Sequence, residues 1–526
     1  MQIRIFSRMS RNFSVVSLVV LLFVLSNAAW TSSYESELLP PMDNGELDAA
    51  GRPFDYFAFP TTVVGVKDGK YGAEITHEGA IFTGSAELGF FVGADMIPVN
   101  QRVKTLEDGY LPIVHAQFSF DGLNYDINYF SDTADGAQGG ILLYFARATI
   151  TNPDAEVRKG YFWAAQRFQG PHHRVQAHMQ RDLIAFQPVW NYAMTEDLAL
   201  RAGRIIYAYT TAPTARFIQP GVPYTNLGEK IKLQKHYQQD WVNIVQYELD
   251  MQPGRSTTID FIMPFKPASQ KYADRLRKVN VSERLDSVRN FWRSELASGT
   301  TIEVPEKKVN DTYRANLAYM MLARAKEGED YVQKVNKFQY DWFWIRDASF
   351  MLLALDQFGY HTDAERGALY FLKHQNEAGN FESQRGQLDG FGQTLWVFGE
   401  HYELTQDNTF LRAVYPGVRR AMQWLAAVRE KHKHELKDED APGYGLMPIS
   451  NPGDNELVDG HVIGHDLWGL TGVKNAIRMA RALGEEEDAR QFEAEYEDYH
   501  KYLMKNLDLT AVRTGGYISP AVEPGG

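Results

Sequence analysis

From Gly51 to Phe265, apolar residues alternate with polar ones or gather in short runs broken by turn-forming pairs, a pattern that predicts strands. Gln117 to Phe120 and Asn124 to Phe130 flank Asp121-Gly122, a dipeptide whose residues accept the left-handed backbone of a two-residue hairpin turn. Ile141 to Thr149 forms a further β-rich run that ends at Asn152-Pro153. Val245 to Leu249 and Ile259 to Pro264 bracket the turn sequence Gln252-Pro253-Gly254-Arg255. Many short strands with regular turns predict an antiparallel β-sandwich.

The period changes near Ala268. Leu285, Val288, Phe291, Trp292 and Leu296 fall along one helical stripe, so the stretch from Val281 to Leu296 reads as a helix that joins the sandwich to the C-terminal half of the chain. Helices then dominate. Pro305, tolerated in a first helical turn, opens one that ends near Ala325. Others run from Asp347 to Phe358, Thr362 to His374, Gly392 to Leu404, Asn408 to Lys431, Leu467 to Leu483 and Glu486 to Lys505. The loops between them differ in character. Gln339 to Asp347, Asn380 to Gly392 and Gly443 to Asp466 are rich in aromatic, Arg, Asp and Glu residues, while connections such as Gly359 to Thr362 are short. Helical hairpins with one elaborated set of loops predict a toroid that carries its chemistry at one rim. The other arrangement is a solenoid, for which no repeat motif is present.

Composition narrows the partners. The chain has 526 residues, enough for two substantial cores, with 44% hydrophobic and 23% charged residues, as in folded proteins. A formal net charge of -13 repels a nucleic-acid polyanion and suits a neutral substrate. Without Cys there is no disulfide, thiolate metal site or cysteine nucleophile. At the N-terminus, Arg4, Arg8 and Arg11 precede an apolar run from Val15 to Leu25 and the small residues Ser26-Asn27-Ala28-Ala29. This is a secretory pattern, with cleavage expected after Ala28 or Ala29 and a secreted or periplasmic product that has no membrane contact thereafter.

Three loops hold the candidate chemistry. In the first, Trp342, Trp344, Arg346 and Asp347 cluster at a helix start: ring faces stack on aromatics, and charged forks bind vicinal hydroxyls, although Asp347 could equally serve as a helix cap. In the second, Asp389-Gly390 leads into a helix containing Trp396. The third runs from Gly445 through Asp454, Glu456 and Asp459 to His461. Glycosidic cleavage needs one carboxylic acid to protonate the leaving oxygen and, with inversion, a second carboxylate to activate water. Glu456 is the candidate acid, with Asp454 and Asp459 as rivals. His461 and His465 stand four apart but lack the intervening Glu of a zinc-protease helix, so no metal or other cofactor is expected, and His461 is a candidate for sugar hydrogen bonding.

The string WIRDASFMLLALDQFGY resembles the WxRDA segment of the glycoside hydrolase family 15 glucoamylases and their six-hairpin relatives, with Trp344, Arg346 and Asp347 on the motif. The resemblance implies that Arg346 and Asp347 grip the sugar at the cleaved bond. It further implies that Asp389 and Trp396 belong to a sugar-lining segment, and that Glu456 lies where those enzymes carry a Trp-Glu-Glu acid motif that this chain does not reproduce.

The expected organisation is multi-domain β + α. A signal peptide at 1–29 precedes a β-sandwich at 30–267, a linker with a helix at 268–303 and a partial (α/α)6-toroid-like domain at 304–526. That toroid is expected to be truncated, with the general base beyond the matched residues. The expected function is exported hydrolysis of α-linked glucosides or related glycosides, with an oligosaccharide or polysaccharide as partner. Glycan phosphorylases and rhamnosidases share the architecture, and a non-catalytic carbohydrate-binding protein is a further alternative.

Overall fold

The computed structural model describes residues 62–76, 78–83, 86–101, 103–133, 141–167, 191–232, 241–337, 341–450 and 460–523. The signal-peptide segment 1–29 and the acid candidates Glu456, Asp454 and Asp459 lie outside the described residues.

Leu111–Phe120 and Leu123–Thr133 form the expected hairpin, with Phe120 opposite Leu123. Asp121 and Gly122 both take positive φ, 51° and 75°, as a two-residue turn matched to strand twist requires. The described strands make two large antiparallel sheets, of nine and ten strands, beside one small two-stranded hairpin. Val242–Met251 and Ser256–Pro264 do not pair with each other. The first joins the nine-stranded sheet beside Arg158–Arg167 and the second joins the ten-stranded sheet beside Leu142–Thr151, so the chain changes sheets at residues 252–255.

Side-chain alternation sends each strand to two environments. Tyr144, Ala146, Ala148 and Ile150 join Phe90, Phe162, Val245 and Phe261 in the core between the sheets. Leu143 and Phe145, on the opposite face of the same strand, join the helices in a second core with Leu111, Ile113 and Phe130. The ten-stranded sheet is therefore buried on both faces over this stretch, which explains the unbroken burial of residues 142–146.

A short helix, α1 (Ala273–Arg277), precedes α2 (Val281–Ala297). Asn280 caps α2 by accepting hydrogen bonds from the amides of Ser282 and Glu283. Val281, Leu285, Val288, Trp292 and Leu296 are buried against the sheet. Phe291, expected on that stripe, is 44% exposed and meets Trp292 edge-on, because the buried arc is narrower than the sequence pattern suggests. The remaining helices are α3 (Lys307–Ala323), α4 (Ile345–Gln357), α5 (His361–Tyr370), α6 (Asp389–Thr405), α7 (Asn408–Leu436), α8 (Ile463–Leu483) and α9 (Glu486–Thr514). Pro305 stands just before Glu306, the cap of α3, rather than inside its first turn.

Polar locks join the two cores. Arg324, fully buried at the end of α3, donates to Asp68 of the sandwich, and to the backbone oxygen and side chain of Asp363 in α5. Lys67 pairs with Asp363 and with Glu295 of α2. On the other side of α2, Arg289 grips Glu107 through two hydrogen bonds of 2.6 and 2.9 Å, and His115 lies between Glu107 and Asp126. Burial opposes charge on His115, but hydrogen bonds to Asp126 and Glu107 outweigh it and raise its pKa to about 9. Burial likewise works against the Glu107 carboxylate, yet His115 and Arg289 hold it down to about 2.

A His raised in the folded state contributes stability that is complete below its unfolded value and is lost as pH rises through the folded one. The thermal midpoint of the wild-type protein should therefore fall between pH 7 and pH 10 more steeply than that of His115→Asn. Parallel melting curves for the two proteins across this window would refute the assignment.

Candidate functional site

Helices α4, α6 and α8 are each entered through a long connection, 324–344, 371–388 and 437–462, and left through a short one, 358–360, 406–407 and 484–485. This alternation brings their N-termini to one rim, and α6 packs between α4 and α8. Close packing needs residues without side chains. A Cβ on Gly392 would stand 1.9 Å from the backbone oxygen of Trp468, so α6 and α8 touch backbone to backbone. A Cβ on Gly390 would meet the backbone oxygen of Phe381 at 2.7 Å and Ile345 at 3.3 Å, which fits the first turn of α6 against α4 and the second loop.

The first loop is held by its own residues. Lys334 pairs with Asp341 and Glu327, and its backbone bridges to Phe343, whose ring lies among Tyr370, Phe371 and His374. Trp344 is the N-cap residue of α4 and half-buried; the hydroxyl of Ser383, from the second loop, accepts the hydrogen bond of the Ile345 amide at 3.0 Å. Arg346 and Asp347 occupy the first turn and are half-buried, and the positive end of the helix favours the Asp347 carboxylate.

Asp389 begins α6. Its Oδ2 accepts from Nε of Arg346 at 2.8 Å and from Nε2 of Gln393 at 2.8 Å. Its Oδ1 is buried with no hydrogen-bond partner among the described residues. The first and second loops thus converge in a direct ion pair. Gln393 and Ser383 were not singled out from sequence. The Asp389–Gln393 spacing of four on one helix face was a usable signal for the former; the Ser383 contact crosses between loops and leaves no local trace.

Trp396 lies seven residues beyond Asp389, about 10 Å along the helix axis. There it meets Phe350 of α4 and Trp468 of α8 at ring-centre distances of 5.5 and 5.2 Å. This aromatic group sits below the Arg346–Asp389 pair rather than beside it.

His461 serves another neighbourhood. It is buried, its Nδ1 meets Glu523, its Nε2 lies 2.6 Å from Nε2 of His432, and its amide donates to Glu523 at 2.8 Å. Both ring nitrogens are thereby engaged with protein, and the residue ties α7 to the 519–523 segment. Burial and the neighbouring His461 hold His432 below its usual pKa. Asp466, in the first turn of α8, is fully buried and accepts from Tyr499 at 2.6 Å and the Met447 amide at 2.9 Å. Burial raises its pKa against those hydrogen bonds. Among the described residues no group of three His, Asp or Glu converges to hold a metal ion, and no helix is long and apolar enough to cross a membrane.

The chain superposes on a bacterial glucoamylase solved with acarbose at a TM-score of 0.56 and 13% identity, covering 90% of this chain and 70% of that one. This chain has the glucoamylase fold. A GH92 α-mannosidase of Bacteroides thetaiotaomicron aligns at a TM-score of 0.36 and 11% identity, over 88% of this chain and 63% of its own. In sequence, a stretch of 166 residues is 28% identical to an uncharacterized glycosyl hydrolase of Methanocaldococcus jannaschii, over 28% of this chain and 27% of that protein. The match spans about a quarter of that relative's length. No family model matches the chain.

Within the glucoamylase fold, the backbone contact at Gly392 sets the spacing of two rim helices. Gly392→Ala should cost about 3 kcal/mol of stability, because the methyl group must push the α8 backbone away. A urea midpoint unchanged from wild type would show that the two helices do not meet there.

Proposed function

We propose that this chain is an exported glycoside hydrolase acting on α-linked glucosides or related glycosides with inversion. The observation that carries the reading is the charged pair at the rim. Arg346, with Asp347 beside it in the same first turn, meets Asp389 from the next rim helix, and Trp344 stands at the head of the group. A planar guanidinium and carboxylates recognise vicinal hydroxyls by paired hydrogen bonds, and an indole face suits the apolar face of a pyranose. The glucoamylase fold and the partial sequence likeness to a glycosyl hydrolase support the same class.

In this reading, Arg346 and Asp347 hold the sugar ring at the cleaved bond, and Glu456 protonates the leaving oxygen. The second carboxylate, which activates the attacking water from the opposite face of the ring, lies beyond the matched residues in this reading, so turnover needs the protein that carries it.

The test is a panel of α- and β-linked disaccharides followed by proton NMR, which reports the anomer first released. An α-linked glucoside should give β-glucose at a rate independent of phosphate. Glu456→Gln should lower kcat by about 1,000-fold while sugar binding survives. Release of the α-anomer, formation of a sugar phosphate, or full activity in Glu456→Gln would each overturn the mechanism.

Export rests on the basic, apolar and small-residue order of the first 29 residues. Expression in a secreting host should yield extracellular or periplasmic protein that begins at Ala29 or Trp30. An intact N-terminus on cytoplasmic protein would contradict it.

A further inference from the structure

We propose that Asp389 acts through Arg346 rather than on the sugar: with Gln393 it is a positioning residue that fixes the guanidinium at the rim. This rests on the reading of the rim as a pyranose site and gives one of its members a different task. The side chain of Asp389 is 3% exposed, against 37% for that of Arg346, so of the pair it is the arginine that faces solvent. A sugar arriving from the rim meets Arg346 first.

The contact is made at Nε, with Oδ2 of Asp389 at 2.8 Å. The guanidinium is a rigid plane, so an anchor on Nε sets the direction in which both terminal nitrogens point. Restricting a long flexible side chain before a ligand arrives lowers the ordering cost of binding. The anchor is itself fixed. Asp389 sits in the first turn of α6, and Gln393, one turn further on and buried, donates to the same oxygen at 2.8 Å. Gly390 lets that turn lie close enough to α4 for the two side chains to meet. The chain of contacts is therefore Gln393 to Asp389 to Arg346, running from the protein interior outward.

The test is a double-mutant cycle on Arg346→Ala and Asp389→Asn in the full chain, read as kcat and KM on maltose. A second, sugar-independent readout is the NMR signal of the Arg346 Nε–H, assigned by its disappearance in Arg346→Ala. Asp389→Asn alone should reduce kcat/KM by about 100-fold, the scale of a misplacement of about 1 Å. In the Arg346→Ala background it should cost no more than about twofold, because the group it acts through is already gone. The Nε–H signal should shift and lose protection from exchange in Asp389→Asn. Gln393→Leu, which leaves the ion pair in place, should change the signal in the same direction by less.

Additive losses in the cycle would show that Asp389 touches the sugar itself and overturn the proposal. An unchanged Nε–H signal in Asp389→Asn would overturn it as well. Should the wild-type protein neither bind nor cleave maltose or any other glycoside of the panel, the functional reading falls, and the Nε–H signal still decides whether Asp389 positions Arg346.

Discussion

Over residues 142–146 and their neighbours the ten-stranded sheet is buried on both faces, and that single constraint organises the molecule. One face closes the sandwich core; the other, through Leu111, Ile113, Phe130, Leu143 and Phe145, is the floor on which the helices are laid. Apolar burial is non-directional, so it brings the two halves together without fixing their angle. The angle is set by charge. Arg324 has no exposure, and a buried guanidinium persists only where carboxylates and carbonyls surround it in fixed geometry. Its partners come from a sandwich turn, Asp68, and from a helix start, Asp363, so a shift of either part would leave a charge unpaired in the interior.

From that floor the path to the rim is short. Arg324 lies where α3 ends, and the next segment carries Lys334 and Asp341 and then becomes the first turn of α4. The sandwich takes part in the candidate site by holding this connection: Lys337 is buried there and donates to the backbone oxygens of Gly69, in a sandwich turn, and of Arg324. Desolvation pushes the pKa of Lys337 down to about 7. An amine so placed is tolerated because carbonyl oxygens accept its protons.

Much of this was legible in sequence, and the parts that were not share a cause. Asp121-Gly122 revealed its hairpin, and each of the predicted helices after Ala268 has a counterpart, because capping, turn chemistry and a 3.6-residue period are local properties. The failures are long-range. Nothing near Val245 or Ile259 says that these strands enter different sheets, and nothing near Phe291 says how wide the sheet beneath α2 is. The contact of His461 with Glu523 likewise left no local sign, since the two are 62 residues apart. The rim pair was half legible: the WIRDA string marked Arg346, but its bond to Asp389 spans 43 residues and depends on Gly390 and Gly392 letting helices approach.

Three rim helices begin with an aspartate in the first turn, Asp347 in α4, Asp389 in α6 and Asp466 in α8, and the positive helix end favours all three. Their surroundings nevertheless divide them. Asp389 faces a guanidinium; Asp466 faces a phenol and an amide, both neutral, in full burial, and its pKa rises accordingly. Asp347 alone of the three is half-buried rather than buried. The same residue type in the first turn of three helices thus gives one carboxylate that clamps a cation, one that braces a loop and a tyrosine, and one that is only half-buried. Separation of this kind follows from the depth and partners of each helix end, since the dipole common to all three cannot tell them apart.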